Sequence, residues 1–368
     1  VTVEVSTAVG SLSFDKSLGT ITDLDFRWQG RHLTPLHRAP WLDEPAVQDD
    51  TALLPVERRL TGDYFCAPFG LSDLEAAPAH GWSANSPWTV DLCDRGRIDA
   101  TLRRLVLGAR ITKRQTLADK APLLYQEHWI EGGEGDLTVA HHPMVRIAGI
   151  GRFDCSAKRM LIAADPPLEP GRNRLAAGGV AQDLQAFPTA DGTIVDLGRL
   201  PIGDAHEDFV TLIEAPDHAI GWSAVLRDVE NDIVLVLKDP RVLPVTMLWH
   251  SNGGRDYPPW NGRHTGVLGI EDGCAAGASG HRGALEPNPV SSTGVPTALR
   301  LGRGVVHRVA HVIGAVARPP SWDHVRDIRI DAGQLVIDGP PDHPPLILPF
   351  HGDFFPPKHQ AAGGRRPA

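Results

Sequence analysis

Apolar and polar residues alternate in short runs along much of the chain. Val1-Thr-Val-Glu-Val-Ser6, Gly19-Thr-Ile-Thr-Asp-Leu-Asp-Phe26 and Ile328-Arg-Ile330 each send every second side chain to one side, with Leu335-Val-Ile-Asp338 close behind the last. This two-residue period marks half-buried strands. Turn signals fall between the runs, among them Gly132-Gly133, Glu134-Gly135, Asp191-Gly192, Asn252-Gly-Gly254 and Asp331-Ala-Gly333. Candidate helices are few and short, because 38 Gly and 32 Pro are dispersed through the 368 residues and interrupt helical runs. The pattern predicts an all-β fold, a large antiparallel sandwich or barrel. No repeat period and no heptad pattern appears.

No linker rich in Ser, Gly or charge divides the chain, so residues 1–352 read as one domain. Residues 353–368 read as a flexible tail, since the segment from Pro356 to Ala368 holds no large apolar residue. Before it, Pro319-Pro320 and Pro340-Pro341 bracket a strand-like hairpin expected to pack on the sandwich as an edge element.

Charge narrows the choice of partner. With 36 Lys+Arg against 45 Asp+Glu, a net charge of −9 and no basic run, neither nucleic acid nor an anionic membrane surface is expected as a partner. The longest apolar runs, such as Ile233-Val-Leu-Val-Leu237, fall far short of the roughly 20 residues a spanning helix needs. Residues 1–30 lack the basic start and apolar core of a secretory signal, which points to the cytoplasm, while an opening at Val1 without Met fits a trimmed start. Cys66, Cys93, Cys155 and Cys274 are widely spaced with no C-x-x-C pair and read as reduced thiols.

Three segments set acid/base residues among aromatics, glycines and prolines: Ala79-His-Gly-Trp-Ser-Ala-Asn-Ser-Pro-Trp88, Val139-Ala-His-His-Pro-Met144, and the stretch from Leu248 to Gly273. A sugar ring has an apolar C–H face and a hydroxylated rim, so it suits aromatic faces beside hydrogen-bonding groups. Trp82, Trp249, Tyr257 and Trp260 are candidates for that platform. A small-molecule carbohydrate is therefore the expected partner, bound by a monomer or homodimer. By contrast, Asp204-Ala-His-Glu-Asp208 lacks the spacing of a zinc or calcium motif and reads as a loop of solvated charge. Gly81-Trp-Ser-Ala-Asn85 misses the nucleophile elbow at its last position, and no phosphate-binding glycine motif follows a strand.

The same segments resemble the galactose mutarotase-like superfamily, the aldose 1-epimerases. His80-Gly81 followed by Trp88 looks like its His-Gly-Phe-x-Arg…Trp segment, His142-Pro143 like its His-Pro-Tyr-Phe segment, and Gly269-Ile-Glu271 like its Gly-(Ile/Leu)-Glu strand. Leu299 to Val306 resembles the closing Leu-x-Pro-Gly-Glu segment and Ala8 to Leu33 the N-terminal hairpins, so the likeness spans roughly residues 1–318. It implies a β-supersandwich binding a pyranose, with Glu271 as general base toward the C1 hydroxyl, His142 as acid toward the ring oxygen, and His80 as a contact to the ring oxygen or a nearby hydroxyl. Such a ring opening and reclosure needs no metal or cofactor. If Glu271 and Asp272 lie on a strand they face opposite ways, and Glu271 is placed inward. Likewise only one of His141 and His142 faces the cleft, and the resemblance selects His142.

The chain also departs from the family. The arginine expected after His80-Gly81 is absent, Pro68-Phe-Gly70 lacks the following Asn-Arg, and the aromatic pair after His-Pro is Met144-Val145. Arg255, Arg263 and His264 are candidates for replacement contacts, including contacts to an acidic group on the substrate. Ordinary glucose or galactose is thus not the implied substrate. Two alternatives stay open: a non-isomerase carbohydrate-active enzyme on the same scaffold (a lyase, glycoside-cleaving or natural-product tailoring enzyme), or a catalytically silent sugar-binding protein.

Overall fold

A computed structural model describes residues 2–216 and 218–355. Two large antiparallel sheets face each other. The nine-stranded sheet runs Arg199–Leu200, Gly151–Cys155, Gly221–Arg227, Asp232–Lys238, Val306–Ala317, Leu123–Gly132, Ala109–Leu117, Arg97–Leu102 and Trp88–Asp94 in spatial order. In the eight-stranded sheet the central path is Lys158–Ala163, His206–Glu214, Val245–Asn252, Val267–Cys274 and Val139–His141, and Met144–Arg146 also pairs with Val267–Cys274. The described helices are short, the longest being Gly280–Leu285, and none is long and apolar enough to cross a membrane. The all-β antiparallel sandwich expected from the alternation is the observed architecture.

The two-residue period explains how the layers meet. On Asp232–Lys238, Val234 and Val236 turn inward against Val210, Leu212, Leu248, Leu268 and Ile270 of the opposite sheet, forming the core between them. Leu235 and Leu237 turn outward, where they would be exposed without a third layer. That layer is a three-stranded sheet, Asp327–Asp331, Gln334–Asp338 and Leu346–Pro349. It packs across the face of the nine-stranded sheet through Ile328, Leu335, Ile337 and Leu348, whereas the expected hairpin was an edge element. The reason is that both layers offer an apolar face, and burying two faces removes more apolar area from water than pairing one edge.

Phe354 and Phe355 lie beyond the expected domain end at 352 yet are buried in this outer layer. The rest of the expected flexible tail, from Pro356 on, lies outside the described residues. An N-terminal four-stranded sheet, Thr2–Thr7 through Arg31–Leu33, closes the other end with Leu12, Phe14 and Phe26 packed on Trp88, Ile98 and Ile111. The four cysteines are free.

Candidate active site

Strand register brings two of the expected residues together. Ala140 pairs with Gly273 on one side of the His142-Pro143 step and Met144 pairs with Gly269 on the other. The same register carried across the gap sets His142 directly opposite Glu271. Pro143 has no N–H for the ladder but still accepts from Ile270 N at 2.9 Å, so the alignment holds while the local strand opens. Opposed residues on one face meet side chain to side chain, and His142 Nε2 lies 3.1 Å from Glu271 Oε1.

The same register sends their neighbours the other way. His141 and Asp272 face the inter-sheet core, where His311 stacks on His141 with centroids 4.1 Å apart and approaches Asp272 Oδ2 at 3.2 Å. Gly269 makes room for the pair above it: a Cβ there would sit 3.0 Å from Glu271 Oε1 and 3.1 Å from Trp249 Cβ. This is a physical reason for glycine two residues before the glutamate.

His80 reaches the site from a loop. It precedes the short helix Gly81–Asn85 in a left-handed conformation, and its ring lies edge-on to His142 with centroids 5.4 Å apart. Gly81 has φ of +71°, and a Cβ at that position would lie 1.9 Å from Ala67 O. Only glycine permits this backbone approach. Gly81→Ala is therefore expected to destabilise the protein by at least about 2 kcal/mol and to lose most activity by displacing His80. Thermal unfolding and turnover of the variant check this; unchanged values for both would mean that the loop adapts freely.

His80, His142, Glu271, Trp249, Trp260 and Arg255 line one cleft of about 240 Å³. The other four expected residues do not line it. Trp82 lies on the helix with the Arg104 guanidinium 4.1 Å above its ring. Tyr257 is 44% exposed and donates to Glu169 at 2.6 Å. Arg263 is bound to Glu44 and to Pro259 O. His264 lies beneath Trp249, stacked with centroids 5.4 Å apart and bonded to Ser251 Oγ at 2.7 Å. These four are supports or surface residues of the surrounding shell.

The fold and this constellation together invite comparison with known structures. No protein-family model matches the chain, and no curated protein does. Solved structures do. A candidate aldose 1-epimerase of Escherichia coli K12 superposes with a TM-score of 0.58 at 13% identity, covering 86% of this chain and 99% of the other. A galactose mutarotase related enzyme of Lactobacillus acidophilus gives 0.55 at 11% identity, covering 87% and 99%. A galactose mutarotase-like protein of Lactobacillus casei gives 0.54 at 12%, covering 86% and 100%. The chain has the galactose mutarotase-like fold. At such identities the likeness is one of fold, and the chemistry must be argued from this chain's own residues.

Within that mutarotase-like scaffold, burial sets the charge state. Burial pushes the Glu271 carboxyl well above the usual carboxylate range, with Arg255 only partly opposing. Burial, reinforced by His80, lowers His142 to about 3, and burial with Arg255 lowers His80 to about 4. Both shifts favour the uncharged forms, a protonated Glu271 facing a neutral His142, and so favour placing the proton on the residue that the resemblance casts as base. Asp63 anchors the arrangement from below, accepting from His142 N at 2.9 Å and from Gln126 Nε2 at 2.6 Å.

Some residues of the site carry no sequence signal. Tyr64 stacks on His142 at 4.5 Å. Glu207 accepts from Trp249 Nε1 at 2.6 Å and from Ser251 Oγ at 3.0 Å, and burial pushes it up to about 7. His206, Glu207 and Asp208 therefore form no loop of solvated charge: they are buried on the strand His206–Glu214. Charge on three successive residues concealed a strand that is covered on both faces.

Among the described residues one group, Asp63, His141 and His311, brings metal-capable atoms within 4.8 Å of one another. The two imidazoles are stacked at an interplanar angle of 8°, so their in-plane lone pairs run side by side and do not converge. The set does not fit a metal and is better described as a buried hydrogen-bonded network.

Proposed function

We propose that the protein is an aldose 1-epimerase-like isomerase that opens and recloses a cyclic hemiacetal at C1. The observation that carries this reading is the direct 3.1 Å contact between a buried glutamate and a buried histidine at the floor of a cleft. The hemiacetal places its ring oxygen and its C1 hydroxyl across the pair. Protonated Glu271 gives its proton to the ring oxygen as the C1–O bond breaks, and neutral His142 Nε2 takes the hydroxyl proton as the carbonyl forms. After rotation about C1–C2 the carbonyl is attacked from its other face, and the two residues return the protons in exchanged roles. His80 lies beside His142 as a further neutral imidazole for hydrogen bonding to the ring, and Trp249 offers a face for its C–H side.

Exchange NMR of the α and β anomers of candidate sugars tests the reading. Enhanced exchange that disappears in His142→Ala, with the fold retained by circular dichroism, is the expected result. A product of new mass would instead favour the lyase or tailoring alternatives, and saturable binding with no catalysed change would favour a silent binding protein.

A further inference from the structure

The chemical character of the cleft wall narrows the substrate. Leu54, Leu60, Phe69, Leu168 and Phe209 line the cleft beside the histidines, and Leu71 stands 60% exposed at the rim. A free hexose presents hydroxyls around its whole edge, and each hydroxyl moved from water against such a wall needs a replacement hydrogen bond. Of the polar groups that line the cleft, two, His142 and Glu271, already contact each other.

The one cation of the cleft is already balanced by a carboxylate. Arg255 is the one Arg or Lys among the described residues lining the cleft, and its Nε is held 2.9 Å from Glu169 and 3.4 Å from Glu207. Its guanidinium lies 4.4 Å above Trp260. Arg263, the other cation expected to meet an acidic group, is paired with Glu44 outside the cleft. At about 240 Å³ the space is small against typical ligand pockets of ~300–1,000 Å³ and suits one hemiacetal ring with the substituents attached to it.

We propose that the substrate is a neutral cyclic hemiacetal whose ring carries apolar substituents, and that free hexoses, uronates and sugar phosphates are poor substrates. This rests on the ring-opening reaction proposed above. The reactive carbon faces His142 and Glu271, and the apolar substituents lie against Leu54, Leu168 and Phe69.

The full chain is tested by exchange NMR on D-glucose, D-glucuronate, glucose 6-phosphate, 2,3,4,6-tetra-O-methylglucose and 6-phenyltetrahydropyran-2-ol, with tryptophan fluorescence as a separate binding readout. The expected result is a kcat/KM at least about tenfold higher for the last two than for glucose, with no enhancement for the two acids. Leu54→Gln and Leu168→Gln, both at half-buried positions outside the strands, should each reduce the preference for the apolar compounds about tenfold. Equal or faster turnover of glucose or of either acid overturns the substrate class and leaves the reaction standing. Saturable fluorescence quenching by the phenyl compound without any exchange supports the ligand class and overturns the reaction. Neither quenching nor exchange with the apolar pair overturns both.

Discussion

Glu271→Gln is expected to lower kcat for anomer exchange by about 10²- to 10⁴-fold, the usual contribution of a positioned acid or base, while making the folded protein more stable at neutral pH. Glutamine has the shape of a protonated glutamate and can still donate to His142 Nε2, but it cannot give up a proton to the ring oxygen. The stability gain follows from linkage. The folded pKa of Glu271 lies well above its ordinary value because the carboxyl is buried. Above pH ~4.5 the unfolded chain has released this proton and the folded chain still holds it, so wild-type stability falls as pH rises toward the folded pKa. The amide has no proton to release and escapes that loss. Chemical unfolding at pH 5 and pH 8 tests the linkage: the variant's advantage should be larger at pH 8. A variant that keeps full turnover would remove Glu271 from the chemistry, and an advantage independent of pH would mean that the carboxyl is ionised in the folded state.

The second large effect is acid instability. Burial lowers His37, His80 and His141 to about 4 and His142 and His250 to about 3, and drives His128 and His264 well below 6.5. For these groups the unfolded chain binds the proton first. Their stabilising effect is therefore full above pH ~6.5 and is lost as pH falls toward each folded pKa. By pH 5 each costs at most about 2 kcal/mol, so several together approach the ~5–15 kcal/mol that holds a domain folded. The raised carboxyls Glu271 and Glu207 act in the opposite sense but are fewer. Unfolding free energy measured with urea should drop by several kcal/mol between pH 7 and pH 5, with a slope of more than one proton. A flat profile over that range would show that these histidines titrate normally. The acid limb of activity should follow unfolding and not the titration of His142 alone.

Alternation made the sandwich legible, because a strand with one buried face writes its period into the sequence. It also gave the opposition of Glu271 and Asp272, since neighbours on a strand cannot share a face. The choice between His141 and His142 needed the resemblance, and the structure shows its physical basis: the register across Pro143 aligns His142 with Glu271 and His141 with Asp272. The four expected site residues outside the cleft were chosen by residue type and proximity along the chain. In the turn-rich segment 251–266 neighbouring residues diverge, so Trp260 enters the cleft while Tyr257 and Arg263 turn to the surface. Glu207 and Tyr64 were hidden for another reason. The strand of Glu207 is covered on both faces and shows no polar/apolar alternation, Tyr64 lies just before the two-residue strand Phe65–Cys66, and the importance of both comes from partners far away in sequence.

Glu271 and Asp272 also make the strand Val267–Cys274 unusually sensitive to insertions and deletions. Burial favours the protonated form of one carboxyl, toward the cleft, while Lys238 and His311 favour the ionised form of the next, toward the core. Gaining or losing one residue just before them would exchange the two sides. An acid would then meet the lysine where a carboxylate is needed, and a charge would enter the cleft where a neutral acid is needed. Length variation in descendants of this chain should therefore collect in the loops that build the cleft walls, such as 51–60 and 164–172, while the 267–274 strand keeps its count and varies only by side-chain replacement. A change of substrate would then come with a change in loop length and leave the acid/base pair in register.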